Sequence, residues 1–129
     1  MSLPLLKQKL LFPQEIEVWY VLPAIRKAFA TSLITAGKPQ KEIAAMMGLT
    51  EAAISQYKKD KRAHELQEIK AEVEKSVPRI LQDSQQLFPE MMRINEYIKS
   101  SGLFCKLHRS KSYTPEGCEK VCSYGGLHG

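Results

Sequence analysis

All three cysteines of this 129-residue chain lie near its C-terminal end, in the stretch CKLHRSKSYTPEGCEKVC. The order is Cys105, two residues, His108, nine residues, Cys118, three residues and Cys122. Thiolates ligate structural zinc and iron–sulfur clusters, and zinc also accepts imidazole. Three thiolates and His108 would complete a zinc tetrahedron. The three thiolates alone would hold either a cluster lacking one iron or a cluster whose fourth iron has another ligand.

Two other interpretations of the cysteines stay open at this point. Cysteine is among the most frequently buried residue types, so the three thiols would also suit a small apolar core, with His108 on the surface. A disulfide between two of them is disfavoured by the expected compartment. The N-terminal residues lack the long apolar segment of a signal peptide, and Glu15 and Glu17 follow them directly. We therefore expect a cytoplasmic protein, in which an odd number of cysteines favours a ligand or sensor role.

The net charge of +5 resides in the first half of the chain. Residues 1–62 carry ten Lys and Arg against five Asp and Glu, whereas residues 63–129 carry nine of each. This asymmetry favours a polyanionic partner for the first half. No apolar run approaches the ~20 residues that cross a bilayer, so no membrane partner is expected. No nucleophile paired with a base and no glycine-rich phosphate loop is present, so we expect neither an enzyme nor a small-molecule substrate.

Helical spacing of apolar residues runs through most of the chain, and no stretch alternates as a strand does, so the predicted fold class is all-α. A first helix is expected to begin at Pro13 and to end at Gly37. Pro23 is expected to kink or split it, because proline removes a backbone donor. The main part of this helix should then begin near Leu22.

Residues 39–62, PQKEIAAMMGLTEAAISQYKKDKR, have the pattern of a helix-turn-helix. Ile43 and Ile54 mark the apolar faces of the two helices, Gly48 suits a left-handed turn, and Thr50 suits the N-cap of the second helix. In DNA-binding proteins that second helix enters the major groove. The side chains expected to reach bases or phosphates are Gln40, Lys41, Thr50, Glu51, Ala52, Ser55, Gln56, Lys58, Lys59, Lys61 and Arg62.

The stretch QKEIAAMMGLTEAAISQYKK resembles the helix-turn-helix of lambda-repressor-like regulators of the xenobiotic-response-element class. The wider run that begins IEVWYVLPAIRKAF, with GLFCKLHR and the later cysteines, is similar to a group of small archaeal predicted transcriptional regulators. This resemblance covers about residues 12–122 and implies a dimeric DNA-binding regulator, with an iron–sulfur cluster in some members. Relatives often carry a further cysteine before GLFC, where this chain reads RINEYIKSSG. The cluster implied here therefore has three cysteine ligands.

Beyond the basic cluster, apolar residues recur at steps of three and four on a highly charged helix. A seam this narrow is typical of a helix that pairs with a partner, so residues 63–101 are expected to form a dimerisation region. Pro78 is expected to interrupt the first of its helices, and Pro89 to open the next. The seam consists of Leu66, Ile69, Val73 and Val77.

Three parts of the chain follow from these patterns. Residues 1–62 are the predicted helix-turn-helix domain, residues 63–101 the helical dimerisation region, and residues 102–129 an irregular segment holding a metal or a cluster. Together they predict a homodimeric, sequence-specific transcriptional regulator that binds operator DNA and senses redox or iron status through an iron–sulfur cluster. The alternative is a DNA-binding adaptor or regulator with a purely structural zinc site that includes His108.

Overall fold

The computed structural model describes residues 10–59, 66–118 and 122, and all regular structure within them is helical. The predicted all-α fold class is thus confirmed for these residues. A π-helical turn, Glu17–Val21, follows the first helix, and 3-10 turns precede the fifth and sixth helices at Gln67–Ile69 and Ser84–Gln86. The helices are α1 (Pro13–Ile16), α2 (Leu22–Thr35), α3 (Gln40–Met47), α4 (Glu51–Lys59), α5 (Lys70–Gln82), α6 (Leu87–Ser100) and α7 (Leu103–Lys111).

The π turn makes α1 and α2 continuous across Pro23. The Leu22 N–H donates to the Glu17 carbonyl, five residues earlier, instead of four as in an α-helix. In a regular helix the ring of Pro23 would collide with the carbonyl of Trp19. The wider turn lies where that collision would occur. The predicted division near Pro23 is therefore a π turn between the short leading helix α1 and the main helix α2, which begins at Leu22 as predicted.

Helix α2 runs through the centre of the hydrophobic core. Ile25, Phe29 and Leu33 are all at most 2% exposed. The helix packs against α3 and α4 on the one hand, and against α5 and α6 on the other. One hydrophobic core therefore joins the predicted DNA-binding and dimerisation regions. Within the part of the chain that the structure describes, no helix is both long and apolar enough to cross a bilayer.

The seam predicted for dimerisation is buried in this same core. Leu66, Ile69, Val73 and Val77 are each at most 9% exposed, and α5 packs on α2 of its own chain. The prediction that these side chains face a second copy is therefore wrong. Sequence spacing shows that a helix has an apolar face, but it does not distinguish a face that meets its own chain from one that meets another.

Pro78 lies inside α5 and does not interrupt it. The carbonyl of Glu74 loses its usual helical donor to this proline. Glu74 and Pro78 are both exposed, so water can bond to that carbonyl. The predicted interruption is thus replaced by a continuous helix whose missing hydrogen bond lies on the solvent side.

Residues 103–111 form α7, where the sequence predicted an irregular segment. Gly102, with φ of 86°, reverses the chain after α6 in a left-handed conformation that glycine adopts without strain. Phe104 and Leu107 are then buried in the core, with exposed fractions of 1% and 6%. This pair, three residues apart, gives α7 a buried side and anchors Cys105 on a regular helix.

Candidate nucleic-acid interface and thiol site

The turn between α3 and α4 has fixed geometry. Gly48 adopts φ of 66° and ψ of 33°, the left-handed conformation predicted for it. The Leu49 N–H donates to the Ala44 carbonyl at 2.9 Å, which satisfies an end carbonyl of α3 by the bond typical of a glycine-terminated helix. The direction in which the chain enters α4 is thereby set by backbone hydrogen bonds.

Thr50 caps the start of α4, as predicted. Its Oγ1 accepts a hydrogen bond from the Ala53 N–H at 3.1 Å, which satisfies one of the free amide groups of the first turn. Glu51 follows in that turn, where a negative charge interacts favourably with the helix dipole. The hydroxyl of Thr50 therefore has a structural role in the free protein, whatever it contacts besides.

One side of α4 packs on the core, and the other side is open. Ile54 is fully buried, and Tyr57 is half-buried against the same core. The open side carries residues that were predicted to meet DNA. Glu51, Ala52, Gln56, Lys58 and Lys59 are all exposed.

Two further predicted contact residues lie against each other at the junction of α3 and α4. Gln40 Nε2 donates to Ser55 Oγ at 3.3 Å, and both residues are half-buried. Lys41, the next residue on α3, is exposed. Lys61 and Arg62 lie outside the described residues, so the basic cluster is described only as far as Lys59.

The four predicted metal ligands form two pairs. Cys105 and His108 are three residues apart on α7, so they lie on neighbouring positions of one helix face. Cys118 and Cys122 are linked by a helical hydrogen bond of 2.9 Å from the Cys122 N–H to the Cys118 carbonyl. All three thiols are partly exposed and unbridged. Among the described residues, no three His, Cys, Asp or Glu side chains are close enough together to hold a metal ion.

The other two cysteines nevertheless act electrostatically on Cys105. Burial raises the pKa of the Cys105 thiol, and negative charge on Cys122 and on Cys118 raises it further, while Arg109 opposes the shift. Cys105 is therefore a neutral thiol at pH 7, and binding of a metal must displace its proton. The donor types suit zinc or a cluster, but the two pairs do not form a coordination sphere until they approach each other.

The hydrogen bond of His108 determines which ring nitrogen can bind a metal. His108 Nε2 lies 2.7 Å from the Leu11 carbonyl oxygen. Because a carbonyl only accepts, Nε2 must carry the proton, and the neutral ring keeps its lone pair on Nδ1. A ligating histidine commonly donates its other N–H to a backbone carbonyl in this way. His108 is thus able to bind a metal through Nδ1 alone.

The segment that precedes α1 is held against the end of α7, which the sequence did not predict. The Leu11 N–H donates to Ser112 Oγ at 2.8 Å, and Leu11 and Ser112 are both buried. Lys111 Nζ lies 4.9 Å from the centroid of the Tyr20 ring, a cation–π contact. No local pattern reveals contacts between residues about a hundred positions apart.

Comparison with protein-family models, with curated proteins and with solved structures finds no match to this chain. Its function is therefore argued from the geometry of α3 and α4 and from the chemistry of the thiol site.

Proposed function

We propose that this protein is a sequence-specific DNA-binding regulator whose α4 reads the major groove. The observation that carries the proposal is the open face of α4, with Gln56 free on it and Lys58 and Lys59 in its last turn. A glutamine amide pairs with adenine in two hydrogen bonds, and lysines bind phosphates. The fixed turn at Gly48 supports the proposal, because base reading needs a helix of defined direction. No catalytic step is part of it.

The test is selection from a pool of duplexes with about 25 random base pairs, enough for two half-sites one helical turn apart. We expect the wild-type protein to enrich one motif. Gln56→Ala should weaken binding to that motif about 10-fold and relax the preference at one base pair. Gln82→Ala, which removes an exposed glutamine from α5, is the matched control and should leave binding unchanged. Failure to enrich any motif would contradict the proposal.

The lysines should act differently from Gln56. Lys58→Ala and Lys59→Ala are each expected to weaken binding to every duplex alike and to lower the slope of log affinity against log salt by about 1. Salt titrations of the selected duplex and of a scrambled duplex measure this. Loss of affinity for the selected duplex alone would assign the lysines to base reading instead of phosphate binding.

We further propose that Cys105, Cys118 and Cys122 bind an iron–sulfur cluster whose state reports redox or iron status. Three sulfur donors, with Cys105 electrostatically coupled to the other two, support this assignment. Structural zinc is the second candidate, which makes the protein a regulator or adaptor with a passive metal site. The Nδ1 lone pair of His108 favours zinc, because it completes a set of three thiolates and one imidazole.

Iron, acid-labile sulfide and zinc should be determined per chain on protein purified without oxygen. About three or four irons with equal sulfide would support the cluster, and about one zinc without sulfide would support the structural site. His108→Ala separates the two further, because it should leave a three-cysteine cluster in place but lower zinc content. Protein that contains neither iron nor zinc would contradict both metal assignments.

A further inference from the structure

A groove of about 440 Å³ lies between the second half of α2 and the neighbouring face of α5. This volume is within the range of roughly 300–1,000 Å³ over which clefts between helices hold small molecules. Its apolar lining consists of Ala36, Val77 and Pro78, of which Val77 is buried. No sequence motif indicates the groove, because its two walls come from helices that are far apart along the chain.

The wall contributed by α2 presents hydrogen-bond acceptors. Thr31 Oγ1 donates to the Lys27 carbonyl at 2.8 Å, and Thr35 Oγ1 donates to the Thr31 carbonyl at 2.9 Å. Both hydroxyl protons are therefore used within α2, and the oxygen lone pairs remain for a donor in the groove. Thr35 is also the last residue of α2, where the negative end of the helix dipole favours a cation.

The wall contributed by α5 carries one negative and one positive charge. Glu74 and Lys70 both line the groove, four residues apart on one helix face. In the part of the chain that the structure describes, neither side chain forms an ion pair or a hydrogen bond. The Glu74 carbonyl, which Pro78 leaves without a helical donor, points towards that second lining residue. The carboxylate therefore has a further acceptor beside it, while Lys70 supplies donors.

We propose that this groove binds a free α-amino acid with an apolar side chain. Its ammonium group donates to Glu74 and to the threonine hydroxyls, its carboxylate accepts from Lys70, and its side chain packs on Val77. Ser32, half-buried on α2, also lines the groove and adds a hydroxyl donor for the carboxylate. A simple anion would be repelled by Glu74 and a simple cation by Lys70, whereas a zwitterion neutralises both.

This site is independent of the proposed function, because binding of an amino acid requires no DNA. Its position is nevertheless relevant to that function. Helix α2 packs on α4 as well as on α5, so a ligand in the groove contacts the helix that supports the candidate DNA-binding helix. In a DNA-binding regulator the amino acid is thus an effector and not a substrate.

Isothermal titration calorimetry of the full chain with L-leucine, L-valine and L-methionine, each titrated alone, tests the proposal. We expect at least one of them to bind, one molecule per chain, with a dissociation constant of about 0.1–1 mM. The affinity is modest because Glu74 and Lys70 are exposed and water screens their charges. The methyl ester of that amino acid lacks the carboxylate charge, and its α-keto acid lacks the ammonium group. Each analogue should bind at least ~10-fold more weakly.

Substitutions locate the site. Glu74→Gln and Lys70→Met should each raise the dissociation constant about 5-fold or more. Ala36→Trp, which places a large side chain in the groove, should abolish binding. All three positions are exposed, so far-UV circular dichroism should show an unchanged fold. The matched controls are Glu96→Gln and Lys106→Met, which alter exposed charges that do not line the groove and should bind as the wild type does.

Four outcomes would overturn the proposal. These are no binding of any of the three amino acids, groove variants that bind as the wild type does, control variants weakened as much as the groove variants, and an ester or keto acid that binds as tightly as the amino acid. Binding at the groove without enrichment of any DNA motif would support this site and contradict the proposed function alone.

Discussion

Single residues determine the geometry of the turn between α3 and α4. Gly48 adopts a left-handed conformation. Any residue with a side chain would adopt it at a cost of roughly 1–2 kcal/mol. Thr50 supplies the hydroxyl oxygen that satisfies the Ala53 N–H. Both roles follow from the backbone geometry of one turn, which is why the residue types alone predicted them.

The cap at Thr50 yields a stability prediction. Thr50→Ala leaves the Ala53 N–H without its side-chain acceptor, so the free energy of unfolding should fall by about 1 kcal/mol. Urea denaturation followed by circular dichroism measures the change. Thr50→Ser keeps the hydroxyl and should retain most of the stability. An equal loss in both variants would show that packing of the threonine methyl group, and not the cap, is responsible.

At the scale of elements, a polar cluster joins α5 to α6. Glu90 is 7% exposed and accepts hydrogen bonds from Ser76, Arg79 and Arg93. Arg93 also bonds to the carboxylate of Glu72 at 3.1 Å and to its backbone carbonyl at 2.9 Å. The burial of Glu90 is offset because side-chain donors of Ser76, Arg79 and Arg93 point at its charge. The cluster thus fixes the register of the two helices.

This cluster predicts a pH dependence of stability. Burial pulls the pKa of Glu90 upward, but hydrogen bonds from Ser76, Arg93 and Arg79 outweigh burial and hold it below its ordinary value of 4.5. Hydrogen bonds from Lys75 and Arg93 lower the pKa of Glu72 likewise. Both carboxylates therefore stabilise the fold fully above the ordinary value, and this stabilisation is lost as the pH falls through the lower, folded-state pKa.

Glu90→Gln is the corresponding substitution. At pH 7 it should lower the free energy of unfolding by about 1–2 kcal/mol, since solvent around the half-exposed Arg79 screens part of the interaction. The difference from the wild type should shrink below about pH 4. Glu96→Gln, an exposed position on the same helix, should change stability by less than about 0.5 kcal/mol. A pH-independent difference would assign the loss to shape instead of charge.

At the scale of the whole molecule, α2 unites the helices in one core. It packs on the α3–α4 pair and on the α5–α6 pair, while α1 packs on α7. The predicted boundary near residue 62 therefore separates stretches of sequence whose side chains share one buried interior. Removing either part would expose apolar residues such as Phe29 and Val73 to water.

One core predicts one unfolding transition. Fluorescence of Trp19, the chain's single tryptophan, reports on the π turn, and far-UV circular dichroism reports on all helices. The two thermal transitions should coincide, because neither half has a core of its own. Separate midpoints, or a biphasic dichroism curve, would instead establish two units that unfold independently.

The sequence by itself determined the local features of this protein. The all-α class, the turn at Gly48 and the cap at Thr50 were predicted and are confirmed for the described residues. Each depends on interactions within about four residues, or on a periodicity that the printed sequence displays directly. The charge asymmetry and the spacing of the three cysteines and His108 are likewise properties of the sequence.

Only the tertiary structure decided which apolar surfaces are buried within the chain and which remain exposed to solvent. Val73 lies in a regular apolar seam and is buried against its own chain, whereas Phe88 remains open to solvent. The hydrogen bond from His108 to Leu11 likewise joins positions 97 residues apart. The hydrophobic effect has no direction, so the apolar face of a helix does not indicate which surface will cover it. The packing of the remaining helices determines that surface.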